Sequence, residues 1–226
     1  MPRLVAEDVT KTFGANGAGV AAVQGASLEL ARGDFVAITG HSGSGKTTLL
    51  SMLGGLSRPS SGRVLFDGAD LYALDGDALS EYRCENVGFV FQFSSLLTAL
   101  TAKENLLLPA RFRPARRSAD VLEARALELL EVVGLRDKVD AYPAELSGGQ
   151  QRRVAIARAF MNEPQFILAD EPTGDLDEET EAEVMKLFRA MNERSGTAVV
   201  LVTHDTELAR QAGRRAQMHR GVLREL

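Results

Sequence analysis

Apolar positions along the chain repeat with two different periods, and the switches between them outline the elements. Segments 2–13 and 20–30 alternate apolar and polar residues as half-buried strands do, with a glycine-rich turn (Gly14, Gly17, Gly19) between them. Phe35-Val36-Ala37-Ile38-Thr39 is a short continuous apolar run, the pattern of a strand covered on both faces. From Lys46 the spacing becomes helical, with Leu49, Leu50 and Leu53 on one side. Val64-Leu65-Phe66 and Val87-Gly88-Phe89-Val90-Phe91 read as further strands.

Between about 93 and 160 the pattern is mostly helical. Leu122, Ala126, Leu129, Leu130 and Val133 recur at helical spacing, with Gly134 placed as the stop. A later helix runs through Met161 to a break at Glu163-Pro164. Strand 166–169, helix 178–193 and strand 197–202 follow, and Val184, Leu187, Phe188 and Met191 form an i, i+3, i+4, i+7 core stripe. Helices alternating with buried strands predict an α/β fold with a parallel sheet, and the early strands predict a smaller antiparallel β layer. The expected organisation is one domain over 1–226, with an inserted α-helical subdomain at approximately 93–160.

Composition narrows the function classes. The 226 residues carry a net charge of −5, so no general electrostatic attraction to nucleic acid is expected. Arg210, Arg214, Arg215, Arg220 and Arg224 gather near the end and read as a solvated basic face. Cys84 is the only cysteine, which excludes an intramolecular disulfide and a cysteine-rich metal site; it reads as a small buried apolar residue. The first ten residues lack the apolar core of a secretory signal, and no run approaches the about 20 apolar residues of a membrane span. A soluble, cytoplasmic chain is expected.

Three stretches carry chemistry. Gly40-His41-Ser42-Gly43-Ser44-Gly45-Lys46-Thr47 fits the phosphate-binding loop pattern GxxxxGK[ST] between a strand and a helix. Its glycines let the main chain fold around phosphates, Lys46 is placed for the β- and γ-phosphates, and the Thr47 hydroxyl for Mg²⁺. Residues 40–48, Thr48 included, are the candidate ATP-binding set. Phe166-Ile167-Leu168-Ala169-Asp170-Glu171 is an apolar strand ending in two acids. Asp170 is the candidate for holding Mg²⁺ through water, and Glu171 the candidate general base. Leu146-Ser147-Gly148-Gly149-Gln150 opens a helix whose first turn is expected to be rich in free N–H groups, a second anion cradle.

The phosphate loop together with LSGGQ resembles the ATP-binding-cassette (ABC) ATPases, over essentially the whole chain. The resemblance implies a P-loop NTPase core, ATP hydrolysis with Mg²⁺, and an ATP-dependent head-to-tail homodimer. In that dimer Ser147, Gly148, Gly149 and Gln150 would close on the nucleotide held by the other copy. It further implies that Gln92 contacts Mg²⁺ or the attacking water, and that His204, after Val199-Val200-Leu201-Val202-Thr203, touches the γ-phosphate. Gly174, Asp175 and Asp177 would line the dimer interface, with Asp175 where the family's usual residue is Asn. Phe13 stands where the family commonly stacks a tyrosine on adenine.

Gly88-Phe89-Val90-Phe91-Gln92, Leu96-Leu97, Leu100-Thr101-Ala102, Glu104-Asn105-Leu106, Leu108-Pro109 and Asp170-Glu171-Pro172-Thr173-Gly174 look like the lipoprotein-releasing, macrolide-exporting and cell-division branch. That branch implies an integral-membrane permease partner and a place on the cytoplasmic face of the inner or plasma membrane. The apolar segment from Phe93 to Leu108 is the expected dock for a cytoplasmic helix of the permease. The competing class is a soluble ABC ATPase of iron–sulfur assembly or nucleic-acid maintenance. DNA-repair relatives insert long coiled coils between the motifs, and no sustained heptads occur here.

Overall fold

Two kinds of strand differ in how many faces they bury. Arg3–Phe13 (β1) and Val20–Ala31 (β2) hide mainly one face: Leu4, Ala6 and Val9 on β1, and Val23, Ala26, Leu28 and Leu30 on β2. Phe35–Thr39 (β3) is buried at every residue. The computed structural model describes residues 3–14, 19–115, 117–174 and 176–226; Gly17 of the expected turn lies outside them.

β1 pairs antiparallel with β2 and with Ser61–Phe66 (β4), and Ala69–Asp70 (β5) completes a four-stranded sheet in the order β2-β1-β4-β5. The second sheet contains β3, Val87–Val90 (β6), Phe166–Asp170 (β7), Ala198–Thr203 (β8), Arg214–His219 (β9) and Val222–Glu225 (β10). Its order is β10-β9-β3-β8-β7-β6, parallel throughout except for the terminal hairpin partner β10. The parallel core beside an antiparallel layer is the architecture expected from the apolar pattern.

Alternation along the buried strands sends side chains into two cores. Val36, Ile38, Phe166, Leu168, Val200 and Val202 point into a core shared with the antiparallel sheet and with Lys46–Leu53 (α1). Leu49, Met52 and Leu53 of α1 are fully buried there, each such side chain stabilising by roughly 1.5–3 kcal/mol. Phe35, Ile167, Ala169, Val199 and Leu201 point into the opposite core, against the helices.

Those helices are Ala102–Leu107 (α3), Ala119–Val132 (α4), Gly148–Ala159 (α5) and Glu178–Ser195 (α6), while Gly76–Asn86 (α2) flanks β6. Gly134, in the left-handed region at φ 69°, follows α4 as expected. α6 starts on Asp177, whose carboxylate accepts from the Thr180 amide at 2.9 Å, and ends at left-handed Gly196. A single turn, Thr206–Ala209 (α7), precedes β9.

Several readings change. Helix α5 ends at Ala159, two residues before Met161, and Phe91 falls just outside β6 and is exposed. Cys84 is half-buried, its thiol facing the Pro109 carbonyl at 3.7 Å and the Asn162 amide at 3.4 Å. Arg214 is no solvated surface cation: it joins the two sheets by donating to the Glu29 carbonyl, Asp34 and Glu225 at 2.8, 2.7 and 2.6 Å. Among the described residues no helix is long and apolar enough to cross a membrane.

Candidate functional site

The chain turns from β3 into α1 through Gly40–Gly45, and close backbone contacts shape the turn. Gly45 precedes α1 with φ 107°, and a Cβ there would lie 2.1 Å from the Ala22 carbonyl oxygen. Only glycine fits such a conformation and such an approach. The cap residue Gly45 gives α1 no side-chain hydrogen bond, so its first-turn N–H groups have no such partner. The β9–β10 turn supports the loop from the other side: the Gly221 amide donates to the Ser44 carbonyl at 2.9 Å, and the Gln24 amide donates to the Gly221 carbonyl at 2.8 Å.

A cavity of about 770 Å³ opens over this loop. His41, Ser42, Gly43, Ser44, Gly45, Lys46, Thr47 and Thr48 line it, together with Gln92, Asp170, Glu171, Gly174 and His204. Residues from four strand ends, far apart in sequence, therefore meet at the same edge of the parallel sheet, where ligands of such sheets bind. Gly40 contributes its carbonyl: the buried Lys46 ammonium donates to Gly40 O at 2.6 Å and to His41 O at 3.2 Å.

The two acids at the end of β7 are treated differently. Burial pushes the Asp170 carboxyl above its ordinary range, and the Thr47 hydroxyl bonded to it pulls the other way. A hydroxyl and a carboxylate side by side form a hard-oxygen set of the kind Mg²⁺ takes. Glu171 sits at φ 46°, a rare conformation for a residue with a side chain. Its amide donates to Val202 O at 2.9 Å, which holds the turn against β8. One carboxylate oxygen lies 2.9 Å from His204 Nδ1 and accepts from the His204 amide at 3.3 Å; the other lies 3.8 Å from Lys46 Nζ.

Other predicted residues fall elsewhere. Ser147, Gly148, Gly149 and Gln150 stand outside the cavity, at the exposed start of α5. A capping box takes one donor of this first turn, the Gln150 amide. Ser147 Oγ accepts from the Gln150 amide at 3.2 Å, and Gln150 Oε1 accepts from the Ser147 amide at 2.9 Å. Asp177 is engaged as the α6 cap, and Asp175 lies outside the described residues. Phe13 does not line the cavity; its ring is half-exposed, with the Lys11 ammonium 5.3 Å from the ring centre.

Three contributors went unread in the sequence. Ala22 and Gly221 act through backbone atoms and carry no residue-type signal. Arg152 does leave one: it lies on the buried stripe of α5 with Ala155 and Ile156, an unusual place for a guanidinium.

A family model described as ABC transporter matches residues 23–174. The macrolide export ATP-binding/permease protein MacB of Syntrophobacter fumaroxidans is 44% identical over 217 residues, covering 96% of this chain and 30% of its own length. MacB of Escherichia coli K12 is 45% identical over 220 residues, covering 97% and 34%. The chain thus spans about a third of the length of the curated relatives it matches. Among solved structures, the dimeric post-hydrolysis state of the ATP-binding cassette MJ0796 bound to ADP and Pi superposes with a TM-score of 0.90 at 41% identity, covering 99% of this chain and 97% of that one. The cbiO1 protein of Clostridium perfringens, part of the ABC transporter complex cbiONQ, gives 0.86 at 29% identity, covering 98% and 86%.

Proposed function

The chain belongs to the ABC transporter family, and on that footing we propose that it hydrolyses ATP in the 770 Å³ cavity as one half of a head-to-tail pair that drives a membrane permease. The observation that carries this reading is a split: Lys46, Thr47, Gln92, Asp170, Glu171 and His204 share one cavity, while none of Ser147–Gln150 lines it. A cradle that cannot serve its own nucleotide is suited to that of a second copy.

In this reading the loop amides of residues 41–48 and the Lys46 ammonium hold the β- and γ-phosphates. Thr47, Asp170 through water, and Gln92 would hold Mg²⁺, which when bound offsets charge on the phosphate oxygens. Glu171 takes the proton of the attacking water as that oxygen bonds to the γ-phosphorus and ADP leaves. His204 fixes the carboxylate through Nδ1, and its exposed ring faces the γ-phosphate. Phe13 offers its open face to adenine. Gly174, Asp175 and Asp177 border the second copy.

Residues 1–226 act as one ATPase domain, with the helices of 93–160 as a subdomain presenting α5. The permease dock is an apolar groove of about 410 Å³ whose lining includes Leu56, Val87, Phe89 and Phe112. The exposed Phe91 ring stacks on Phe89 at 5.7 Å, while Phe93 and Leu97 add exposed apolar surface. Within the expected segment 93–108, Leu106 is a core residue and Leu96 and Leu107 pack against the core, so Phe93 and Leu97 are its exposed apolar contribution to the dock. Docking there puts the chain on the cytoplasmic face of the membrane. Likeness to the MacB proteins favours the lipoprotein-release, efflux or mechanotransmission type of work.

Glu171→Gln should bind ATP, accumulate as a dimer in light scattering, and turn over about 10²–10⁴-fold more slowly. Turnover near the wild-type rate would remove Glu171 from the base role. Phe112→Asp should lose co-purification with the permease while its ATP turnover stays within about twofold; retained co-purification would move the dock elsewhere.

A further inference from the structure

The segment after β6 belongs to no helix or strand, yet four of its carbonyls are held by one helix. On α5 the buried Arg152 guanidinium donates to Phe91 O at 2.5 Å and also to Gln92 O. Further along the same helix, Arg158 donates to Ser95 O at 2.9 Å and Ser94 O at 3.1 Å. Between them, Ser94 Oγ donates to Gln151 Oε1 at 3.3 Å. Each guanidinium spans two successive carbonyls with the donors of its planar fork. Burial pulls the Arg158 pKa down, and the Ser94 and Ser95 carbonyls are hydrogen-bond partners for that partly desolvated charge.

α5 therefore has two attachments. Its first turn is the exposed cradle Ser147–Gln150, and Arg152 follows Gln150 by only two residues. Its side chains hold the backbone on which Gln92 enters the cavity. The cradle and the Gln92 backbone are therefore linked through the one helix.

We propose that Arg152 and Arg158 are positioning residues for Gln92, and that α5 carries engagement of its first turn by a second copy to Gln92 in the cavity. This rests on the ATPase-pair reading above. A purely structural role would let turnover fall only with folding stability. A positioning role separates turnover from both stability and nucleotide affinity.

The test uses the full chain as wild type, Arg152→Gln, Arg152→Lys and Arg158→Gln. Amide hydrogen exchange over 91–97 is followed without nucleotide, alongside kcat, KM, ATP-dependent dimer mass and the thermal midpoint. In Arg152→Gln, exchange over 91–97 should rise about tenfold or more. Its kcat should fall about tenfold with KM within about twofold, while the ATP-dependent dimer still forms. Arg152→Lys, which keeps the charge and loses the planar fork, should fall between. Unchanged exchange over 91–97, unchanged kcat, or a kcat loss that simply tracks the thermal midpoint would overturn the proposal. If Arg152→Gln does not fold, Arg158→Gln carries the same comparison from a less buried position. A wild-type chain without turnover would sink the ATPase reading, and the exchange arm would still decide whether the two arginines hold the segment.

Discussion

Helices α1 and α5 both begin after a glycine-rich run, yet their first turns are finished in opposite ways. α1 has no side-chain cap, and its preceding loop is wedged between the Ala22 carbonyl and the β9–β10 turn. α5 caps itself through Ser147 and Gln150, and a Cβ at Gly148 would meet nothing within 4 Å. A helix start left uncapped inside a cavity keeps its donors for a ligand delivered within the same chain. A self-capped start on an open surface is stable by itself and offers only part of its donors. In the proposed pair such a cradle is completed from outside, and the two would be halves of one site shared between copies.

The largest effects should come from breaking each half separately. Lys46→Ala removes the buried ammonium beside the loop carbonyls and should weaken ATP binding and turnover together, each by about tenfold or more. Ser147→Arg should leave ATP binding to the monomer within about threefold, yet abolish both the ATP-dependent mass increase and turnover. Equilibrium binding of a fluorescent nucleotide and light scattering separate the outcomes. Retained turnover in Ser147→Arg would end the idea that the cradle serves a second copy.

The glycines sharpen the comparison at intermediate size. Gly45→Ala forces a side chain into a left-handed conformation against a backbone carbonyl that cannot give way, and should cost on the order of 3 kcal/mol in urea unfolding. Gly149 is different: a Cβ there meets the Thr180 methyl at 2.9 Å, the end of a side chain on α6. Gly149→Ala gains roughly 0.5–1 kcal/mol of helix preference and spends it on that contact, so its net effect should be near zero. Adding Thr180→Ser should make Gly149→Ala stabilising. If the double change leaves it neutral, the contact between the two helix starts carries no energy.

What the sequence made legible follows the same division. β3, β7 and β8 are apolar at nearly every position, and α4 and α6 carry wide stripes, so burial alone marks them. α2 went unread because Tyr82 is its only fully buried side chain, and β9 because only Ala216 and Met218 of its six residues are buried. In the site, the side chains of the phosphate loop and of Asp170, Glu171 and His204 were readable by type and order. The Ala22 and Gly221 contacts were not, since any residue supplies a carbonyl or an amide. By resemblance Asp177 reads as a dimer-interface residue; its carboxylate also caps α6, the ordinary use of an acid just before a helix.

The smallest effect concerns the far end of α1, where two buried phenols hold the last carbonyls of the helix. The Tyr72 hydroxyl lies 2.8 Å from Met52 O and 2.6 Å from Ser57 O, and the Tyr82 hydroxyl 3.4 Å from Leu53 O. Burial pushes the Tyr72 phenol up to about 12 and raises that of Tyr82 as well. In the unfolded chain a phenol loses its proton near about pH 10. Above that pH the native chain keeps protons that the unfolded chain has released, so unfolding becomes easier as pH rises. The stability from these groups is complete below about pH 10 and is lost upward from there, on the order of 1 kcal/mol per group by about pH 10.5. Tyr82→Phe removes one such proton and gives up only a long hydrogen bond. It should therefore match the wild type near neutral pH and flatten the alkaline fall in the urea midpoint. An unchanged alkaline slope would mean that the α1 end is not where high pH first loosens the fold.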